Sequence, residues 1–183
     1  MLRGERIGLR ARVEADVAVL RAELYDDVGM ANRTFLQAWK PISPAAADAP
    51  FAVEPPSDAT HRFSVVELAT DELLGHAALW GIDLSHRLGH LGVSLRPNAR
   101  GRGFATDVVR TLCHYGFAVR GLHRLQLETL ADNEPMLRTA TRCGFVHEGR
   151  TRASAWVEGQ FIDEVVMGML DHEWRATPNE PPA

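Results

Sequence analysis

Apolar and polar positions alternate along this chain with two different periods. A period of two residues from Arg6 to Arg12 predicts a half-buried first strand. Helical spacing then predicts a helix over residues 14–24. Five prolines between positions 39 and 59 interrupt both periods and predict a long loop. Such a loop could border a substrate through Trp39 and Phe51, or be a surface excursion.

The rest of the chain shows the same two periods, and they predict further helices and strands. Helices are predicted over residues 104–119 and from Asn133 to Gly144, and strands over residues 63–68, 75–82, 88–95, 125–130, 145–147, 151–157 and 161–170. Asn133 is a favourable N-cap and Gly144 suits a left-handed helix end. This order predicts one α/β domain over residues 1–175, with a central mixed sheet flanked by helices, and a flexible tail over residues 176–183.

Composition narrows the class of protein. The chain has 183 residues, of which 45% are hydrophobic and 24% charged, as in a single soluble domain. A net charge of −4 argues against nucleic acid as a partner. No apolar run is long enough to cross a membrane, so we expect a cytoplasmic protein. Cys113 and Cys143 have neither paired-thiol nor metal-ligand spacing, so we expect reduced thiols and no metal.

A turn with two glycines follows the predicted strand at residues 88–95 and precedes a predicted helix. Gly101 and Gly103 allow the backbone to approach an anion closely, and the amides of a helix N-terminus favour phosphate. The arginines nearby could serve a phosphate-bearing ligand: Arg96, Arg100, Arg102 and Arg110. The turn lacks the endings of a Walker loop and of a dinucleotide fingerprint. The residues alone therefore indicate either a phosphate site or a plain structural turn.

Several stretches, taken in order, resemble the GNAT acetyltransferase superfamily. The run from Arg100 to Ala105 matches the superfamily's acyl-CoA signature [Q/R]-x-x-G-x-[G/A] at every specified position. The strand over residues 89–95, the segment from Asn133 through Gly149, and the ending over residues 158–174 are similar to the RimJ/RimL type, which acetylates protein N-termini. Residues 28–60 have no clear counterpart.

This resemblance implies a mostly antiparallel sheet that splays between two central strands, with acetyl-CoA in the gap. Val93, Ser94 and Leu95 would pair by backbone with the pantetheine arm, and Asn133 with its helix would flank the cofactor. The pyrophosphate would be bound at the turn and the helix start, by Arg100, Gly101, Arg102, Gly103, Phe104, Ala105 and Thr106. The implied reaction transfers an acetyl group to a primary amine, on a protein N-terminus or a small molecule.

Two residues are candidates for catalysis. An amine must lose a proton before it attacks a thioester, so a general base is useful near neutral pH. His90 stands where many members of the superfamily carry a glutamate base, and histidine suits this role. Glu128 is expected across the gap and is the second candidate. The alternatives are an ordinary surface or core histidine and a solvated or paired glutamate.

The general acid has no evident counterpart. Met136 and Ala140 stand where the resemblance leads us to expect serine and tyrosine, which leaves Thr139, Cys143 or water. This departure keeps open a non-catalytic acyl-CoA sensor or scaffold, and a nucleotide-phosphate protein is a more distant alternative. Residues 28–60 and the final hairpin are the expected substrate walls. The apolar stretch at residues 165–170 could pair at a sheet edge or be buried within the sheet, and the first alternative leaves a homodimer open.

Overall fold

The computed structural model describes residues 1–35, 38–46, 48–55 and 57–176. Eight strands are formed by Leu2–Arg3 (β1), Ile7–Arg10 (β2), Thr60–Glu67 (β3), Leu73–Asp83 (β4), Leu88–Leu95 (β5), Arg124–Leu130 (β6), Val146–Val157 (β7) and Gln160–Leu170 (β8). The α-helices are Glu14–Leu24 (α1), Val28–Phe35 (α2), Phe104–His114 (α3), Glu134–Arg142 (α4) and Asp171–Ala176 (α5). A 3-10 turn over Pro97–Ala99 precedes α3, and one π-helical turn over Tyr115–Val119 follows it.

One sheet contains all eight strands in the order β1-β2-β3-β4-β5-β6-β8-β7. Every neighbouring pair is antiparallel except β5 and β6, which run parallel and pair only at their N-terminal ends. Their last described pair joins His90 to Gln126. Beyond it, β5 stays bonded to β4 as far as Leu95, and β6 stays bonded to β8 as far as Leu130. The sheet therefore splays between β5 and β6, as the resemblance implied.

Helices cover both faces of the sheet. The main core packs α3 and α4 against one face, with fully buried residues such as Leu79, Val108 and Ala140. A second cluster contains Leu20 of α1 and Ala31 of α2. Leu73 of β4 packs against this second cluster, whereas the next residue, Leu74, belongs to the main core. Because successive side chains of a strand point to opposite faces, the two clusters lie on opposite faces of the sheet. The predicted α/β class is confirmed.

Helix α2 was not predicted from the sequence. Gly29 and the β-branched residues Val28 and Thr34 give it a low intrinsic helix propensity over only eight residues. Tertiary contacts stabilise it instead, since Ala31 is buried and the Phe35 ring meets the Tyr25 ring edge-on at 5.8 Å.

Element boundaries differ from the sequence expectations at several places. The two strands predicted at residues 145–147 and 151–157 form the single strand β7, whose pairing with β8 is interrupted by two irregularities. Short strand β1 and helix α5 were also missed. The flexible tail was predicted over residues 176–183. Ala176 is the last residue of α5, and residues 177–183 lie outside the part of the chain that the structure describes. Within the described residues, no helix has the length and apolar character that a membrane crossing requires.

A buried carboxylate ties α1 to the sheet. Asp16 accepts hydrogen bonds from Arg10 (2.7 and 2.9 Å), from the Ser64 hydroxyl (2.7 Å) and from the Val13 amide (3.1 Å). Burial by itself would raise the pKa of Asp16, but these hydrogen bonds outweigh it and hold the pKa at about 2, against an ordinary 3.8. The ionised carboxylate therefore stabilises the folded state.

We expect Asp16→Asn to lower the free energy of unfolding at neutral pH by about 2 kcal/mol. Because the folded pKa lies below the unfolded one, this contribution is complete above about pH 4 and disappears as the pH falls through about 2. Urea unfolding at neutral pH and along an acid series measures it. Asp26→Asn, which removes the exposed partner of Arg21, is the control and should cost less than about 1 kcal/mol. Equal losses in both variants would contradict the assignment.

Candidate active site

The glycine turn lies at the mouth of the splay, between β5 and α3. Gly101 and Gly103 both adopt left-handed backbone angles, with φ of +71° and +85°. Among the described residues, a Cβ at Gly101 would meet no atom within 4 Å, and one at Gly103 would meet only the Arg6 guanidinium, at 3.9 Å. The first amides of α3 have no acceptor within the helix. The turn thus offers amide donors and open space, which fits a pyrophosphate.

Side chains around the turn fix its backbone. The carboxylate of Asp107, in the first turn of α3, accepts hydrogen bonds of 2.7 to 3.1 Å from the main-chain amides of Glu5, Arg6 and Ile7. The Arg6 and Arg102 guanidinium groups lie over the Phe104 ring, at 4.3 and 4.7 Å from its centroid. These contacts hold the start of α3 against the β1–β2 connection.

The nearby arginines do not form the single basic patch that the sequence indicated. Arg96 donates to Glu23 at 2.6 Å and to the Leu73 carbonyl, so it is bound away from the turn. Arg110 is near Glu5 at 3.8 Å. Arg100 donates to the Leu95 carbonyl at 2.9 Å and contacts the Met30 sulfur at 3.0 Å, which fastens the end of β5 to the turn.

Val93, Ser94 and Leu95 occupy the part of β5 beyond its last described pair with β6. Their backbone is bonded to β4 on one side, and in the described part of the chain no strand pairs with their other side. Peptide groups on such an edge are available to an extended ligand. This geometry fits the backbone pairing that the resemblance implied for these residues, which stays a prediction.

His90 and Glu128 meet at the point where the sheet splays. The Nδ1 atom of His90 lies 3.0 Å from the Oε1 atom of Glu128, and the imidazole stacks on the Trp80 ring with centroids 4.5 Å apart. Both side chains are partly accessible, at 20% and 24%. Because an ionised carboxylate only accepts hydrogen bonds, Nδ1 donates to Glu128, and in the neutral imidazole the lone pair is therefore at Nε2. Such an imidazole is oriented to accept a proton at Nε2.

Polar side chains on β6 hold Glu128 in place. Gln126 donates to Glu128 at 2.5 Å, and Arg124 donates to Gln126 at 2.9 Å and to Glu148 at 2.7 Å. Burial would raise the pKa of Glu128, but the hydrogen bonds from His90 and Gln126 outweigh it and lower the pKa below its ordinary value. The carboxylate is therefore ionised beside His90.

Sequence reasoning missed Trp80, Arg124 and Gln126. Arg124 and Gln126 alternate with Glu128 on one strand, so a period of two could have indicated their shared face. Trp80 contacts His90 because the register of β4 with β5 places these two residues directly opposite each other. No sequence pattern indicates that register.

Helix α2 spans the open end of the splay. Met30 contacts Arg100, which follows β5, and Arg33 pairs with Asp132, which follows β6, at 2.6 Å. The helix thus touches the segments that follow both splayed strands. Phe51 is buried in the second core and Trp39 packs against that cluster, so these two residues are packing residues rather than the exposed substrate contacts considered from the sequence.

Asn133 and the candidate acids lie around α4. The Asn133 side chain caps this helix, accepting from the Met136 amide and donating to Thr129 at 2.9 Å. Ala140 is fully buried and the Thr139 hydroxyl donates to the Pro135 carbonyl at 2.9 Å. The buried Cys143 thiol lies 3.6 Å from the Thr106 carbonyl, and burial raises its pKa to about 11. Cys143 therefore remains protonated near the first turn of α3.

A sheet splayed between parallel strands, with a glycine turn and a helix N-terminus at its mouth, fits an extended, phosphate-bearing ligand such as an acyl-CoA. The chain belongs to the acetyltransferase (GNAT) domain family, whose sequence profile matches residues 6–146. The predicted enzyme class and the predicted cofactor, acetyl-CoA, are confirmed at the level of this family.

Named relatives are similar over part of the chain. An uncharacterized N-acetyltransferase, p20 of Bacillus licheniformis, is 30% identical over 62% of this chain and 64% of its own length. The spermidine N(1)-acetyltransferase of Vibrio cholerae is 28% identical over 64% of this chain and 68% of its own. The chain thus spans about two thirds of the curated relatives it matches. The narrower RimJ/RimL prediction is not confirmed.

Solved structures share the fold over nearly the whole chain. The spermidine N-acetyltransferase from Vibrio cholerae, crystallised with CoA and spermine, superposes with a TM-score of 0.76. The match covers 93% of this chain and 98% of that one, at 20% sequence identity. At this identity the likeness concerns the fold.

Proposed function

We propose that this protein transfers the acetyl group of acetyl-CoA to the primary amine of a small molecule. The observation that carries the proposal is the contact of His90 with Glu128, at the level where β5 and β6 separate. This contact places a general base at the bottom of the cleft between β5 and β6, where an acyl-CoA would bind. Relatives named for spermidine acetylation support a small-molecule amine as the first class to test, ahead of a protein N-terminus.

The residues present account for most of what the reaction requires. Acetyl-CoA, when bound, supplies the acetyl thioester. The amides from Gly101 to Thr106 bind its pyrophosphate, and the free edge of β5 aligns its pantetheine arm. His90 accepts the proton of the amine at Nε2, and ionised Glu128 stabilises the imidazolium that results. The Cys143 thiol and water are the proton donors that we propose for the leaving sulfur.

Calorimetric titration with acetyl-CoA, followed by a thiol-release assay over a panel of amines, tests this proposal. Spermidine, simple alkylamines and N-terminal peptides form the panel. We expect saturable binding of acetyl-CoA and release of one thiol for each amine acetylated. Absence of binding by folded protein would contradict the site, and turnover of peptides alone would contradict the small-molecule assignment.

A non-catalytic acyl-CoA-binding protein is the second candidate. Met136 and Ala140, at positions where the resemblance leads us to expect proton-donating side chains, favour it. This candidate predicts binding of acetyl-CoA with no thiol release on any amine. The same pair of measurements therefore separates the two functions.

A further inference from the structure

A cavity of about 530 Å³ opens at the end of β2, on the same sheet as His90. Strand β2 pairs with β3 only as far as the Arg10–Ser64 pair, so the next residues of β3 have no strand on that side in the described part of the chain. Residues 52–55, 57 and 58 form the outer wall. The side chains that carry the argument line the inner wall: Arg12, His61, Arg62 and Tyr115.

Arg12 is a buried cation with very few partners. The residue is only 8% exposed. In the described part of the chain its one hydrogen bond runs from Nη2 to the Nδ1 atom of His76, at 2.6 Å. Its Nε is enclosed and has no partner among the described residues. A desolvated guanidinium usually pairs with a carboxylate, because burying an unpaired charge is costly.

His76 cannot supply the missing negative charge. Burial and the neighbouring Arg12 lower the pKa of His76 to about 3, so its imidazole is neutral at ordinary pH. Nδ1 must accept the hydrogen bond, since an arginine only donates. Burial and the charge of Arg62 lower the pKa of Arg12 to about 10, which still leaves the guanidinium charged. The charge of Arg12 therefore remains unmatched at this contact.

The two carboxylates whose charge acts on Arg12, Asp16 and Glu54, are each bonded to another group. Asp16 is bonded to Arg10 and Ser64, and Glu54 is paired with Arg62. Asp58 belongs to the outer wall of the cavity, where its charge acts on His61. The Phe51 ring lies 5.3 Å from the Arg12 guanidinium and offsets only part of the cost of its burial. An anion that entered the cavity would find a desolvated cation that no carboxylate of the described residues pairs with.

The sheet connects this cavity with the base. Thr60, at the cavity, is paired with Trp80, and Trp80 is paired with His90. Directly paired residues lie on the same face, so Thr60 lies two strand spacings from His90, or roughly 10 Å. The rim of the cavity at Thr60 is therefore within reach of a small molecule whose amine lies at His90.

We propose that this cavity binds the carboxylate of an amine substrate whose amino group lies at His90. The proposal rests on the proposed function and deepens it by assigning the substrate class, an amino acid in the broad sense, with a carboxylate at one end of the molecule and the reacting amine at the other. Arg12 is the specificity-determining residue. Its charge attracts a carboxylate and disfavours a second ammonium group in the same place.

A pair of substrates matched in length tests the assignment. The ratio of kcat/KM for 8-aminooctanoate to that for octylamine is measured in the unchanged protein, in Arg12→Gln and in Arg12→Lys. We expect a ratio of about ten or more that falls to near one in Arg12→Gln and stays intermediate in Arg12→Lys. A ratio measured within one variant does not depend on how much of the protein is folded. Arg175→Gln, an exposed arginine on α5, is the charge-matched control and should keep the original ratio.

A binding experiment keeps this proposal separate from the proposed function. Calorimetric titration with octanoate, and with octanamide as its uncharged counterpart, requires no turnover. We expect octanoate alone to bind, and Arg12→Gln to abolish that binding. Equal kcat/KM values for the two amines, or a preference that survives in Arg12→Gln, would overturn the assignment. If no amine is acetylated, the proposed function fails. The carboxylate site is then supported by octanoate binding that Arg12→Gln abolishes, and contradicted by its absence.

Discussion

Replacement of His90 by alanine is expected to lower kcat by about 100-fold or more, because the amine then loses the base that accepts its proton. The imidazole is oriented for this task by Glu128 at Nδ1 and by the stacked Trp80 ring. Acetyl-CoA binding, measured by calorimetry, should change little, since the glycine turn and the edge of β5 are untouched. Steady-state kinetics on the best amine of the panel gives the measurement.

Two further variants sharpen this test. Glu128→Gln removes the charge that stabilises the imidazolium but keeps a similar shape, so a smaller fall of about tenfold is expected. His86→Ala is the matched control, because His86 is an exposed histidine at the β4–β5 turn whose partner is Asp83. Activity of His90→Ala within a factor of about three of the unchanged protein would show that another group or water removes the proton.

Gly103→Val is expected to weaken acetyl-CoA binding by about 30-fold or more. Gly103 has φ of +85° at the N-cap of α3, a conformation that costs a β-branched residue roughly 1–2 kcal/mol. The added side chain would also project into the open space beside the first amides of α3, where we place the pyrophosphate. Calorimetric dissociation constants, measured with urea unfolding of the same samples, give the comparison.

Gly121→Val is the matched control for the glycine turn. Gly121 also has a positive φ, +65°, and a Cβ there would meet no atom of the described part of the chain within 4 Å. Both variants should therefore lose similar stability, whereas only Gly103→Val should lose affinity for acetyl-CoA. Unchanged affinity in a folded Gly103→Val protein would remove the pyrophosphate from this turn.

The features that sequence reasoning predicted are those that depend on neighbouring residues along the chain. The turn from Arg100 to Ala105 combines left-handed glycines with a helix start, and both properties are local. Asn133 caps α4 as its position before Pro135 indicated, because capping involves only the next few residues. The alternation of β5 and β6 likewise follows from the pleat of a strand. The order of these elements was sufficient to predict the α/β sheet.

Features that depend on the packing of distant segments were predicted poorly. Helix α2 has weak local propensity and is stabilised by contacts with Tyr25, Arg100 and Asp132, so no local pattern predicted it. Trp39 and Phe51 were candidates for substrate contacts because the surrounding prolines break regular structure, yet both belong to the second core. Burial in a loop depends on what the loop packs against, and no local pattern contains that information.

The sequence by itself determined most of the helices and strands of this protein, their order, and the glycine turn with its helix N-terminus, since short-range sterics and hydrogen bonding specify them. It also indicated His90 and Glu128 as separate candidates. Only the tertiary structure decided that they touch, because the register between β5 and β6 brings together residues 38 positions apart. The same is true of Arg12 and His76, which are 64 positions apart. Such contacts arise from strand register and the packing of both sheet faces, which are properties of the whole folded chain.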